Sequence, residues 1–233
     1  MSLVNTILGR ELKDTMFVYD MVREYLEAND IESWEEFCYG DDYENAPANF
    51  DVEVRAGASK VVLVPHNEQF VVKLPYYGMR DNDGYVYPYC GARNDELEEL
   101  GYEGESNNYC DLEANLYTES VEVGCAQFFV PVAFFDEVSG VPVYVQAKVT
   151  SDYNAIRNTS AENTYKYASI ENSNVFDPDF GAKLIDFYSV DEIRTFLRFV
   201  KIFHVNDIDN YRNGGYSIEA GRYVIWDFAG FCD

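Results

Sequence analysis

The chain has 233 residues, with 42 Asp and Glu against 17 Lys and Arg and a formal net charge of −25. Its 47% hydrophobic and 16% aromatic content marks a folded protein, since acidic disordered chains lack the apolar surface that offsets ordering entropy. The charge argues against nucleic acid or an anionic membrane surface as partner, because both reward clustered Lys and Arg. Cationic partners, or a phosphate ligand held with the help of a metal ion, stay open. The length suits one larger domain or two small lobes. No apolar run reaches the roughly 18 residues of a membrane span, and the start MSLVNTILGRELKD lacks the basic and apolar regions of a secretory signal. Five scattered cysteines (Cys38, Cys90, Cys110, Cys125, Cys232) form no metal-binding pattern, so free thiols in a cytoplasmic protein are expected.

Residues 1–40 read as helical. Leu3, Ile7, Leu8 and Leu12, then Met16, Phe17, Met21, Tyr25 and Leu26, fall mostly three and four apart. Ser33 and Glu36 form a capping-box pattern ahead of 34–39, with Gly40 as a stop. These helices are expected to pad the surface of the domain downstream of them. From Asp51 the pattern turns to strands: Val52 and Val54, then 61–64 and 70–74 around a turn at 65–69, a three-stranded antiparallel meander. Residues 75–108 form a long irregular insertion with a short helix at 95–100. Its Tyr76, Tyr77, Tyr85, Tyr87 and Tyr89 make either a partner surface or, the preferred reading, a local minicore. A helix fits 111–121, followed by strands at 128–135 and 141–149. Beyond Thr150 the chain turns mostly helical. Ser189 can cap an amphipathic helix with Ile193, Phe196, Leu197, Val200 and Phe203 on one face. A polar loop at 206–215 and a short strand at 223–228 complete the pattern.

Asp207, Asp209, Asn210 and Asn213 lie together ahead of a strand that ends in Asp227, and such oxygen donors can hold a hard cation such as Mg2+. An EF-hand is excluded, since Arg212 and Ile218 stand where its Gly and Glu belong. The same residue types also build ordinary turns. Lys73 interrupts the apolar run FVVKLP, where a charge needs a partner or a ligand; the alternative is an edge-strand lysine whose head reaches water. Glu113 lies on the helix after the third strand and, taken alone, reads as a solvated residue. One Lys on strand three, one Glu on the next helix and a later Asp–Asn–Asp set are together the parts of a protein-kinase nucleotide site.

From about Asp51 onward the chain therefore resembles the protein kinase-like superfamily, most strongly in HVNDIDNYRNGGYSIEAGRYVIWDFAG, and most nearly the small bacterial and bacteriophage-encoded serine/threonine kinase-like proteins. The resemblance implies that Lys73 contacts the α- and β-phosphates of ATP and that Glu113 fixes Lys73. It implies that Asp207 is the catalytic aspartate and that Asn213 and Asp227 hold Mg2+. Gly57 and Ser59, in the short turn AGAS, would stand for the phosphate-covering loop. Several features depart from the family pattern. Asn213 falls six residues after Asp207 rather than five, Asn206 replaces the usual Arg, His204 is one place early, and the glycine loop is reduced. Six residues follow Asp227, so no peptide-binding platform is expected.

The implied architecture is an α+β, two-lobed kinase-like fold. A helical extension (1–50) precedes a five-stranded antiparallel N-lobe (51–149, insertion 75–108) and a reduced helical C-lobe (150–233). The implied activity is Mg-ATP-dependent phosphoryl transfer to a hydroxyl acceptor in the cytoplasm, that of the bacterial host if the gene is a phage's. Two other readings stay open: a nucleotide-binding pseudokinase, and an acidic interaction or inhibitor protein that binds a basic protein partner through its charge.

Overall fold

The apolar runs within residues 52–75 and 132–147 build a central five-stranded sheet. The structure is a computed structural model that describes residues 15–39, 44–57, 59–76, 79–80, 86–87, 108–151, 160–203, 205, 208 and 212–228. In chain order, helices α1 (Thr15–Ala28) and α2 (Trp34–Tyr39) precede strands β1 (Val52–Ala56), β2 (Lys60–Pro65) and β3 (Phe70–Pro75). A small antiparallel pair, β4 (Met79–Arg80) and β5 (Val86–Tyr87), leads to helix α3 (Tyr109–Val123) and strands β6 (Val132–Val138) and β7 (Val141–Ala147). Helices α4 (Ala161–Ala168), α5 (Pro178–Leu184) and α6 (Val190–Ile202) follow, then the hairpin β8 (Gly214–Ser217) and β9 (Arg222–Ile225). The protein is thus α+β, with an N-terminal sheet region and a C-terminal helical region.

The chain divides into two compact units. One comprises Met1–Gly91, Glu105–Asn115 and Pro131–Lys148; the other comprises Ala92–Gly104, Leu116–Val130 and Val149–Asp233. In the first, β1, β2, β3, β7 and β6 form an antiparallel sheet in that spatial order. Side chains alternate between its faces with period two. Val61, Leu63, Val72, Leu74, Val143 and Val145 lie on one face, fully buried with Val18, Met21, Val22, Tyr25 and Leu26 of α1 and Phe37 of α2. Burying a side chain of this size stabilises by roughly 1.5–3 kcal/mol. Helix α1 is therefore a wall of the core rather than surface padding. Tyr76 belongs to this core as well, its ring centroid 5.1 Å from that of Phe37. The expected helix at 95–100, with Tyr77, Tyr85 and Tyr89, lies outside the described residues.

The opposite face of the same sheet carries several polar side chains. Lys73 pairs with Val62 on β2 and with Tyr144 on β7, which sets Lys60, Lys73, Tyr144 and Gln146 on that side. All four are buried.

The strand expected at 128–135 begins later, at Val132. Pro131 has no N–H to give a ladder, so the apolar residues before it leave the sheet. Phe128 closes a short 3-10 turn, and the Val130 N–H donates to the Ile225 carbonyl at 2.7 Å in the second unit. There Phe128 stacks on Phe196 (4.2 Å) and Tyr188 (3.9 Å), and Phe129 packs against Phe199 and Phe228. Helix α6 meets this aromatic core with the expected face, Ile193, Phe196, Leu197 and Val200 being buried.

Candidate functional site

Lys73 lies near the end of a central strand and is only 3% exposed, so it is no snorkelling edge lysine. Its Nζ donates to Glu113 Oε2 at 2.7 Å. Glu113 comes from the second turn of α3 and is fully buried, flanked in sequence by buried Leu112 and Ala114. Neither group belongs in an apolar setting alone, because several kcal/mol of desolvation fall on each unless partner and hydrogen bonds offset it.

The start of α3 is pinned to the sheet. The Asn108 side-chain oxygen accepts the Asp111 N–H at 3.1 Å, satisfying one of the N–H groups that every helix start leaves over. The Asn108 amide donates to the Tyr144 hydroxyl at 3.0 Å, and that hydroxyl donates to Asp111 Oδ1 at 3.3 Å. Burial, and next the neighbouring Asp111 charge, push the Tyr144 phenol far above its ordinary range. It therefore stays a neutral donor, and the helix that carries Glu113 keeps a fixed register against β7.

A second lysine completes the cluster. Lys60, the first residue of β2, donates from Nζ to Glu113 Oε1 at 3.1 Å and sits 3.9 Å from the centroid of the Tyr109 ring. It is 6% exposed. Sequence patterning alone passes over this residue. The available signal was its position at the head of an apolar run two residues before Val62, the partner of Lys73, which sets both lysines on one face.

Gly57 and Ser59 stand just ahead of β2 and both take part in backbone hydrogen bonds. The Gly57 N–H donates to the Lys60 carbonyl at 2.9 Å, closing the turn on itself. The Ser59 carbonyl accepts the Tyr76 N–H at 2.9 Å. The backbone N–H of Gly57 is thus engaged inside the protein, unlike the outward N–H groups of a glycine-rich phosphate loop.

In the second unit, the Asn213 carbonyl accepts both the Trp226 N–H (2.8 Å) and the Asp227 N–H (3.2 Å). Gly214 pairs with Ile225, so the hairpin β8–β9 necessarily brings Asn213 and Asp227 together at its open end. Trp226 Nε1 adds a bond to the Arg212 carbonyl at 2.9 Å. Asn213 is buried and Asp227 half-buried. An amide oxygen and a carboxylate are hard donors, the chemistry Mg2+ prefers. Among the described residues no group of three or more His, Cys, Asp or Glu side chains is placed to hold a metal ion. Asp207, with His204, Asn206, Asp209 and Asn210, lies outside the described residues.

Two of the expected pairs are therefore brought together, Lys73 with Glu113 in the first unit and Asn213 with Asp227 in the second. No protein family, curated protein or solved structure matches the chain. Among the described residues no helix is long and apolar enough to cross a membrane.

Proposed function

We propose that the protein is a kinase-like phosphotransferase that uses Mg-ATP and passes a phosphoryl group to a hydroxyl acceptor. The observation that carries this reading is the buried Lys73–Glu113 pair, donated by the third strand of an antiparallel sheet and the helix that follows it. Buried ion pairs can often be replaced by well-packed apolar residues at little cost in stability, and a phosphate ligand gives the ammonium a use. Lys73 binds the α- and β-phosphates, and Glu113 holds Lys73 at its station. Asn213 and Asp227 are the residues that would hold Mg2+, an ion that would supply charge neutralisation. Asp207 orients the acceptor hydroxyl and takes its proton. The protein's share of catalysis is then positioning and electrostatics.

A second reading, nucleotide binding without transfer, is favoured by the Gly57 N–H being tied to Lys60 rather than turned outward. One titration tests both. ATP with Mg2+ should raise the melting temperature of the unsubstituted protein, and Lys73→Ala and Asp227→Ala should each remove the rise. Phosphate release or transfer, lost in Asp227→Ala, supports the phosphotransferase. A rise with neither supports the binding module. No rise at millimolar nucleotide sinks both.

A further inference from the structure

We infer that Lys60 is a positioning residue for Lys73, acting through the Glu113 carboxylate that the two lysines share, and so tunes the grip of Lys73 on a phosphate-bearing ligand. The ligand class rests on the phosphotransferase reading above; the coupling between the two lysines does not.

Glutamate ends in a broad, roughly two-fold torsion, so a carboxylate held by one oxygen rocks about its last bond. Glu113 is held by both. Oε2 takes the Lys73 ammonium at 2.7 Å and Oε1 takes the Lys60 ammonium at 3.1 Å. Rotation that would free Lys73 therefore also breaks the bond to Lys60. Lys60 is itself steadied from the helix. The Tyr109 ring lies 3.9 Å from its Nζ, and Tyr109 precedes Glu113 by four residues, on the same face of α3. Helix α3 thus offers an aromatic face and a carboxylate to one lysine and the other carboxylate oxygen to the second. Both lysines are almost fully buried, so the protein and not solvent sets their geometry. An ammonium on a four-carbon stem has many rotamers, and the contact it makes with a phosphate depends on which of them is held.

The test uses the full chain and two readouts. Lys60→Met keeps the apolar stem and removes the ammonium. It should weaken Mg-ATP binding by about tenfold, while adenosine, which lacks phosphates, binds as before. Competitive acetylation mapped by mass spectrometry should show the reactivity of Lys73 changing severalfold. In a Glu113→Gln background, Lys60→Met should change neither quantity further. Unchanged Lys73 acetylation in Lys60→Met overturns the inference, and so does a Lys60→Met effect of undiminished size in Glu113→Gln. Should Glu113→Gln fail to fold, Lys73 acetylation in the Lys60→Met single variant decides. Should the unsubstituted protein bind no Mg-ATP, the phosphotransferase reading falls alone, and acetylation of Lys73 still decides the role of Lys60.

Discussion

Glu113 holds two cations although it is fully buried, so its loss is a severe test of what it does. Glu113→Ala leaves both ammonium groups buried without the carboxylate they share. Removing one partner of a buried ion pair costs about 3–5 kcal/mol, and urea unfolding of the variant should show a loss of that size. Adding Lys60→Met and Lys73→Met to that variant should recover much of it, since neutral side chains of similar volume need no carboxylate. Tyr144→Phe is milder. It deletes the hydroxyl that links Asn108 and Asp111 and should cost roughly 1 kcal/mol by the same measurement. Lys73 was legible in the sequence because one charge in an apolar strand demands a partner; Glu113, which taken alone reads as solvated, was singled out only by the kinase-like order of Lys, Glu and the later Asp–Asn–Asp set. Lys60 was not, because a lysine at a strand's first position is ordinarily a solvated one. The Asn108–Tyr144–Asp111 link was hidden for another reason: Tyr144 lies 36 residues from Asn108 and 33 from Asp111, and no periodicity joins them.

Helix α6 was almost wholly legible, because a capping residue and a 3.6-residue apolar period are local signals. Ser189 accepts the Glu192 N–H, and Glu192 in return accepts the Ser189 N–H at 2.8 Å. Ser189→Ala should cost about 1 kcal/mol. The bonds from the Ser189 backbone, and next its hydroxyl, hold the Glu192 carboxyl below its ordinary 4.5. A carboxyl lowered by folding contributes stability that is present above its unfolded value and is lost as pH falls through the folded one. The melting temperature of Glu192→Gln should therefore trail the unsubstituted protein at neutral pH, with the gap narrowing below pH 4.5. A gap that is constant with pH would remove the ionised carboxylate from the cap. The segment 128–130 was misread because three apolar residues look alike in a strand and in a helical core. Pro131 is the local cause of the break, but the aromatic partners that receive Phe128 and Phe129 lie 60 residues and more down the chain. Gly181 in α5 is a similar case: a Cβ there would fall 2.1 Å from the ring of buried Tyr167. Gly181→Ala, which ordinarily favours a helix, should instead destabilise by about 1–3 kcal/mol through overpacking.

The whole chain carries −25, and the buried lysines consume little of the opposing charge. Excess charge of one sign destabilises a folded protein by self-repulsion, and the chain relieves it on unfolding. Salt screens this repulsion over a Debye length that shrinks from about 30 Å at 0.01 M to about 3 Å at 1 M. The Lys60–Glu113–Lys73 cluster is buried and is screened far less. Sodium chloride should therefore raise the melting temperature steadily across that range, the reverse of what a protein held by surface ion pairs would show. Magnesium chloride compared at equal ionic strength separates general screening from a site. A rise beyond that of sodium chloride, lost in Asp227→Asn and kept in Lys73→Met, would place a cation with the Asn213–Asp227 pair, whereas equal rises would leave the ion as screening alone. Asp227 is the residue to vary because the hairpin holds it beside Asn213 through the backbone, so the substitution changes the donor charge while the Asp227 N–H bond to Asn213 is kept.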